Sequence, residues 1–274
     1  MSNAYPEDNL IGVEIEAEFS NEKSISFPSQ PKGLTGWRFE RDGSLRGTAI
    51  EFVTNEPNTV DVVETQILAL YDWFTSIRKA GITLNDSMRA GIHIHVNQKE
   101  RTYQQVLTFC CLYWILEELL VDAFCGAERA GNLFCLRLID ADYGLNHLQE
   151  RLVSGQKSPF ATERSNSIRY SGLNLVSLSK FGSLEFRSLR TPLSPEPVLE
   201  WIRVLQLLRI ASLDYRNPAM ILEAISGDNP VDFVYHLFAG QATPLARLNL
   251  SQIESSVMRG VRLIQSFVFT TNWS

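Results

Sequence analysis

The stretch GVEIEAEF at residues 12–19 alternates apolar and acidic residues from end to end. This period of two is typical of a β-strand, because successive side chains of a strand point to opposite faces of its sheet. Glu14, Glu16 and Glu18 therefore share one face, with neighbours about 7 Å apart. At an effective dielectric constant of about 20, each adjacent pair repels by roughly 2 kcal/mol. The stretch predicts either a solvated polar face or a face on which a divalent cation such as Mg²⁺ or Mn²⁺ lowers that repulsion.

A second alternating stretch, GIHIHVN at residues 91–97, places His93, His95 and Asn97 on one face of a strand. Half of the four histidines of the chain lie in this stretch. A single histidine on a strand is more often structural, but two imidazoles that point the same way suit a metal or a phosphate.

Two further segments carry charged residues of the same kind. In LEFRSLR, residues 184–190, Glu185 and Arg187 share one face, where an exposed ion pair would stabilise the fold only slightly. In the turn RDGSL, residues 41–45, Asp42 precedes a strand that contains Glu51, and an aspartate beside glycine is also ordinary turn chemistry. If all four strand faces line one concave sheet, they form an acidic cleft with two imidazoles and a cationic end. Such a cleft could bind divalent ions and an anionic substrate.

The composition and the missing motifs narrow the functional classes. The 274 residues carry a net charge of −6 without a block of Lys or Arg, which argues against a nucleic-acid partner. The most apolar run, 106–125, contains three acidic residues and predicts a buried helix, so we expect no membrane partner. The four cysteines form no CxxC pair, and residues 1–8 lack a signal-peptide pattern, so we expect reduced thiols and a cytoplasmic location. The sequence contains no P-loop, GxGxxG, GxSxG or HExxH motif.

The arrangement of apolar residues predicts one α+β domain over residues 1–274, sheet-rich at 10–190 and helical at 195–270. Strands are expected at 11–19, 49–54 and 89–97, and as a pair at 168–178 and 183–189. Helices are expected at 60–80, 102–124, 197–213, 218–225 and 252–269. Because strands and helices do not alternate regularly, the pattern disfavours a doubly wound parallel sheet and favours helices packed on one side of the sheet.

Six features follow one another in a fixed order along residues 10–205. They are Gly-x-Glu-x-Glu at 12–16, Trp37 with Asp42-Gly43-Ser44, Glu51, Gly-x-His-x-His at 91–95, Arg169-Tyr170 with Asn174, and Glu-Phe-Arg at 185–187. This order resembles the putative amidoligase family, the carboxylate–amine ligases of the glutamine synthetase and glutamate–cysteine ligase superfamily. The resemblance implies a curved, mainly antiparallel, glutamine synthetase-like sheet with helices on its outer side. It also implies a reaction in which ATP phosphorylates a carboxylate and an amine then displaces the phosphate to form an amide.

The resemblance assigns roles to matching residues. The metal ligands that it implies are Glu14, Glu16, Glu51, His93 and Glu185. The residues implied in catalysis are Asp42, Glu51 and Arg187, where Asp42 or Glu51 would take the proton of the amine. Those implied in binding ATP are His95, Arg187 and Arg190, and those implied in binding substrate are Arg169, Tyr170 and Asn174. The segment TNEP at 54–57 departs from the tighter Ser/Thr-Pro of relatives.

The implied cofactors are ATP and Mg²⁺ or Mn²⁺, and the implied partners are a carboxylate and an amine from an amino acid, a peptide or a cell-wall-like metabolite. Two alternatives use the same residues. One is a metal-dependent hydrolase or phosphoesterase with the same acidic cleft, and the other is a non-catalytic binding protein whose polar strand faces are solvated.

Overall fold

A computed structural model describes residues 9–21, 34–153, 170–238 and 246–273. Its strands are β1 (Ile11–Asn21), β2 (Trp37–Glu40), β3 (Thr48–Thr54), β4 (Ile82–Leu84), β5 (Gly91–Asn97), β6 (Leu173–Asn174) and β7 (Ser183–Arg190). These seven strands form one sheet in the order β2-β3-β1-β5-β7-β6, and β4 pairs with the C-terminal end of β1. Every pair of named strands in the described part of the chain is antiparallel.

The described part of the chain also forms α-helices. They are α1 (Val60–Lys79), α2 (Tyr103–Leu120), α3 (Tyr143–Val153), α4 (Val176–Phe181), α5 (Glu196–Ala211), α6 (Pro218–Asp228), α7 (Pro230–Leu237) and α8 (Leu250–Thr270). A π-helical turn, Val121–Cys125, continues α2, and a 3-10 turn follows at Ala127–Arg129. The predicted helices at 60–80, 102–124, 197–213, 218–225 and 252–269 are therefore confirmed within a few residues.

The alternating strands separate an apolar face from a polar face, as predicted. On the apolar face, Phe74 of α1 contacts Phe52 of β3 with ring centroids 5.4 Å apart. On the same face, Tyr113 of α2 contacts Phe186 of β7 with centroids 4.8 Å apart. Helices α1 and α2 thus cover the apolar face, and the charged side chains of β1, β3, β5 and β7 point to the opposite face. The α+β class and the mainly antiparallel sheet are confirmed.

The helix α2 is buried nearly all round, which explains its apolar sequence. Its acidic residue Glu117 is buried and accepts a hydrogen bond at Oε2 from the backbone N–H of Leu138, 2.6 Å away. The helix α8 packs against α2 at Gly260, where a Cβ atom would lie 2.2 Å from the carbonyl oxygen of Ile115. Only glycine allows this approach of the two backbones. In the described part of the chain, no helix combines the length and the apolar character that crossing a bilayer would need.

The prediction of a strand over 168–178 was wrong for most of its length. Residues 154–169 lie outside the described residues, and the strand β6 contains only Leu173 and Asn174. Residues 176–181 form the helix α4, which ends at Gly182 in the left-handed conformation with φ of 72°. The side chain of Asn174 accepts a hydrogen bond from the N–H of Val176, 2.9 Å away, and so starts the helical turn. The antiparallel pairing of β6 with β7 was predicted correctly.

Candidate active site

Strand register brings the charged side chains of the polar face together. Glu14 lies opposite His93 across the pair β1–β5, and Glu16 lies opposite Glu51 across the pair β1–β3. On the next pair, β5–β7, His95 lies opposite Glu185. Directly opposed residues of an antiparallel pair have Cβ atoms about 5 Å apart. Four strands therefore supply one continuous cluster of carboxylates and imidazoles, which we name the acidic cluster.

Glu14 stands between the two imidazoles of the acidic cluster. Its Oε2 lies 3.0 Å from Nδ1 of His93, and its Oε1 lies 3.3 Å from Nε2 of His95. Burial alone would raise the pKa of Glu14, but the hydrogen bonds and charges of the two histidines outweigh it and hold that pKa well below its usual range. Burial likewise would lower the pKa of His95, whereas Glu14 and Glu185 raise it above its ordinary value.

The part of the acidic cluster around Glu16 and Glu51 holds an excess of negative charge. Glu16 is buried, and its Oε2 accepts a hydrogen bond from the N–H of Gly91, 2.7 Å away. Burial raises the pKa of Glu16 despite that bond. Burial and the carboxylates of Glu14, Glu16 and Asp42 raise the pKa of Glu51 to about 8. A cation bound among these carboxylates would lower their mutual repulsion.

Glu185 is buried between donors from three elements. Nδ2 of Asn174 donates to its Oε2 over 2.7 Å, the hydroxyl of Ser177 donates to the same oxygen, and Arg187 forms an ion pair with its Oε1. Burial would raise the pKa of Glu185, but Arg187 and the two histidines lower it to about 2. Helix α4 therefore has a function in the site, because it carries Ser177 to this carboxylate.

A β-bulge in β7 determines where its last residues point. Ile94 pairs with Phe186 and Ile92 pairs with Leu189, so two residues of β7, Arg187 and Ser188, face the single residue between those isoleucines. Simple alternation from Glu185 would place position 189 on the polar face and position 190 on the apolar face. The bulge reverses this order, and Leu189 is buried in the core.

Arg129 holds this bulge and was missed by the sequence analysis. It is buried, and its guanidinium donates to the carbonyl oxygens of Ser188, Arg187 and Met88 at 2.8, 3.2 and 3.4 Å. Among the described residues it forms no ion pair, so three backbone carbonyls compensate its charge. No period or motif marks Arg129 in the sequence, because it lies in an irregular segment after α2.

Several combinations of these side chains could hold a metal ion. In each of three sets, the ligand atoms of the described residues all lie within 4.8 Å of one another. The sets are Glu14–His95–Glu185, Glu14–Glu51–His93 and Glu16–Asp42–Glu51. Carboxylate oxygens suit Mg²⁺ and Mn²⁺, and imidazole suits Zn²⁺ and other transition metals. Nε2 of His95 is buried and faces Oε1 of Glu14 at 3.3 Å, so the two atoms could bind the same ion.

The remaining predicted residues lie around the acidic cluster. Asp42 accepts a hydrogen bond from the N–H of Ser44 in its turn; burial would raise its pKa, but its bonds to Ser44 lower it. Arg190 pairs with Asp86 over 2.9 Å at the rim. The ring of Tyr170 packs edge-on against the ring of Phe134, with ring centroids 6.3 Å apart.

Two other predicted features have separate outcomes. Glu18, the third acid of β1, is buried and accepts a hydrogen bond at Oε1 from the N–H of Arg46, 2.7 Å away, so it has a structural partner. Arg169 lies outside the described residues, and its predicted contact with substrate stays a prediction. The structure thus brings together every predicted metal ligand, Asp42 and Arg187.

The comparisons with known proteins identify the family. A family model described as a putative amidoligase enzyme matches residues 61–206, which is more than half of the chain. The match contains β5, β6 and β7, with both histidines of the acidic cluster, Glu185 and Arg187. No curated protein matches the sequence. The chain belongs to the family of putative amidoligase enzymes.

Proposed function

We propose that this protein is an ATP-dependent carboxylate–amine ligase that requires Mg²⁺ or Mn²⁺. The observation that carries the proposal is the convergence of Glu14, Glu16, Glu51, His93 and Glu185, from four strands, around shared space beside Arg187. The family match supports the ligase class. In the proposed reaction, ATP phosphorylates the carboxylate of one substrate, and the amine of the other displaces phosphate from the acyl phosphate.

The acidic cluster would hold the metal through the carboxylates of β1, β3 and β7 and through His93. When bound, the metal neutralises charge on the phosphates and on the attacking carboxylate, which otherwise repel each other. Without cations the cluster would repel both anionic reactants. The raised pKa of Glu51, about 8, is consistent with this requirement for added positive charge.

Arg187 is the fixed cation of the proposed site. Its pKa lies above the ordinary value because Glu185 and the carboxylates of β1 outweigh the effect of burial, so it stays charged. A guanidinium presents paired donors that match the oxygens of a phosphoryl group. Arg187 would therefore bind the transferred phosphoryl group as negative charge develops on it.

Asp42 and Glu51 form the acidic side that would attract the ammonium of the amine substrate. Attack on the acyl phosphate needs the neutral amine, so one of these carboxylates would take its proton. Asp42 lies in the turn before β3, while Glu51 lies directly opposite Glu16. The position of Asp42 in a turn favours it for contact with a substrate that enters from solvent.

The test is ADP release with Mg²⁺ and a panel of carboxylates and amines. We expect Glu16→Ala and Glu185→Ala to abolish amine-dependent ADP release while circular dichroism shows a folded protein. Glu100→Ala, at an exposed position on the same chain, is the control and should retain the activity. Normal turnover by either site variant would contradict the proposal.

A hydrolase that uses the same acidic cluster would cleave a phosphoester or an amide without ATP. The ligase must show no such cleavage, so one assay with and without ATP separates the two activities. A non-catalytic protein with solvated strand faces would show no tight Mn²⁺ binding in calorimetry, whereas the ligase would show a saturable site.

A further inference from the structure

A cavity of about 380 Å³ continues the polar face of the sheet beyond Glu14 and His95. This volume lies in the range of small-molecule sites, roughly 300–1,000 Å³. One end of the cavity reaches Glu14 and His95, and its walls include Val53, Pro57 and Phe181. The cavity is therefore an apolar extension of the groove that contains the acidic cluster.

Gly12 creates the floor of this cavity. On β1 it shares the face of Glu14 and lies opposite His95 on β5. A Cβ atom at this position would lie 3.4 Å from Cβ of His95, which is ordinary contact, so the backbone does not require glycine here. Any larger side chain would extend into the cavity. Glycine at position 12 therefore leaves room for a ligand, although the backbone would tolerate a residue with a side chain.

The mouth of the cavity combines an aromatic ring with a cation. Phe181, at the end of α4, is 56% exposed, and its ring lies edge-on to His95 with centroids 5.8 Å apart. Lys99 also lines the cavity and is exposed. Within the described part of the chain its ammonium forms no ion pair. Arg38 and Glu56, which carry opposite charges, line the cavity as well. An exposed aromatic ring near the ammonium of Lys99 suits a ligand with an apolar body and an anionic group.

We propose that this cavity binds the apolar body of an organic anion, with the anionic group near Lys99 and the body extending over Gly12 toward His95. This ligand chemistry has two sources in the ligase reaction, namely the base and ribose of the nucleotide and the body of a carboxylate substrate. The assignment to catalysis rests on the proposed function, but binding of such an anion does not require turnover.

The probe is 8-anilinonaphthalene-1-sulfonate, an aromatic sulfonate whose fluorescence rises in apolar surroundings. We expect saturable binding to the wild-type protein, and a loss of affinity of roughly tenfold or more in Gly12→Val, because the added methyl groups fill the floor. Gly227→Val is the matched control, since a Cβ atom there meets no atom within 4 Å. Unchanged binding by Gly12→Val would overturn the proposal.

A second variant, at an exposed residue, tests the proposal even if Gly12→Val does not fold. Lys99→Met changes an exposed side chain and should weaken sulfonate binding several-fold, whereas Lys79→Met at the end of α1 should not. Equal binding by Lys99→Met and the wild-type protein would also overturn the proposal. Mn²⁺ calorimetry on the same variants should be unchanged, so loss of the cavity and loss of the acidic cluster are distinguishable.

Competition then identifies the source of the anion. Displacement of the probe by the non-hydrolysable analogue AMP-PNP would assign the cavity to the nucleotide. Displacement by 3-phenylpropionate but not by AMP-PNP would assign it to a carboxylate substrate with an apolar body. Displacement by neither would overturn the assignment of the cavity to ligase chemistry, while metal binding and ADP release would still test the proposed function separately.

Discussion

Arg129 donates a hydrogen bond from Nε to the carbonyl oxygen of Ser188, 2.8 Å away, and so clamps the bulge from which Arg187 projects. At the bulge, the alternation of β7 side chains between the two faces of the sheet shifts by one residue. This guanidinium hydrogen-bonds to the backbone carbonyls of the bulge, and among the described residues it forms no ion pair with the acidic cluster. Arg129 is therefore a positioning residue for Arg187.

Arg129→Met should lower kcat for ADP release by about 10- to 100-fold, because a misplacement of about 1 Å can cost about 100-fold in rate. Mn²⁺ affinity should stay the same, since β1 and β3 keep their ligands. The change should also destabilise the fold by roughly 1–3 kcal/mol for each carbonyl left without a donor. Steady-state kinetics, calorimetry and thermal unfolding measure these effects. A variant with wild-type kcat but a lowered melting temperature would mean that Arg129 is only structural.

Asn174 and Ser177 should fix the position of the Glu185 carboxylate. Removing either donor with Asn174→Ala or Ser177→Ala leaves the carboxylate with one fewer partner and lets it rotate away from the histidines, which weakens its binding of cations. We expect weaker Mn²⁺ binding by roughly tenfold at neutral pH, which is about 1.4 kcal/mol. Ser179→Ala, in the same helix, is the control and should bind Mn²⁺ like the wild-type protein. Equal affinities across the three variants would contradict this role.

Glu117 should make stability depend on pH independently of the acidic cluster. Burial, with a smaller effect from Asp140, raises the pKa of Glu117 to about 8, above the ordinary value of 4.5. Between these values the folded protein holds a proton that the unfolded chain has released, so stability falls as the pH rises from about 4.5 to about 8. Glu117→Gln removes the contribution of Glu117 to this dependence, while that of Glu51 remains, and should be more stable than the wild-type protein at pH 9 by roughly a few kcal/mol.

The control for this pH dependence is Glu118→Gln. Glu118 pairs with Arg259 over 2.7 Å on the side of α2 that faces α8. Urea unfolding at a series of pH values measures the free energy of unfolding of all three proteins. If Glu117→Gln showed the same slope against pH as the wild-type protein, Glu117 would not be the titrating group.

Divalent metal should stabilise the fold through the acidic cluster. A ligand that binds only the folded state adds about 2.7 kcal/mol when its concentration is about 100-fold above Kd. MnCl₂ should therefore raise the melting temperature of the wild-type protein, and a chelator should reverse the increase. Glu16→Gln should abolish the increase, because Glu16 lies opposite Glu51 and joins it in one candidate set. Glu100→Gln should retain it. An increase that survives in Glu16→Gln would place the ion elsewhere.

The polar faces of the strands were predictable from sequence because side-chain alternation is a local property. The period of two around Glu14 and around His93 was enough to divide each strand into an apolar and a polar face. Which residues meet across strands is a long-range property: the pairing of Glu14 with His93 joins positions 79 residues apart. From the sequence, only the assumption that all the polar faces line one surface predicts that these residues meet.

The errors arose where local polar groups compete with the strand pattern. Residues 173–178 are apolar enough to indicate a strand, but Asn174 accepts a hydrogen bond from the N–H of Val176 that favours a helical turn. In this turn Asn174 and Ser177 both donate to Glu185. The bulge at Arg187 depends on Arg129, about 60 residues earlier in the chain, and no local pattern records that contact.

The packing of α8 on α2 at Gly260 and the central position of β1 in the sheet have a practical consequence for protein production. The residues recognised by the family model, 61–206, include neither of these elements. A fragment trimmed to that match would lack β1, β2 and β3, three of the proposed ligands (Glu14, Glu16 and Glu51) and the helix seated against Ile115. A protein made for crystallisation or enzymology should therefore include β1, β2, β3 and α8, which lie outside the residues that the family model matches.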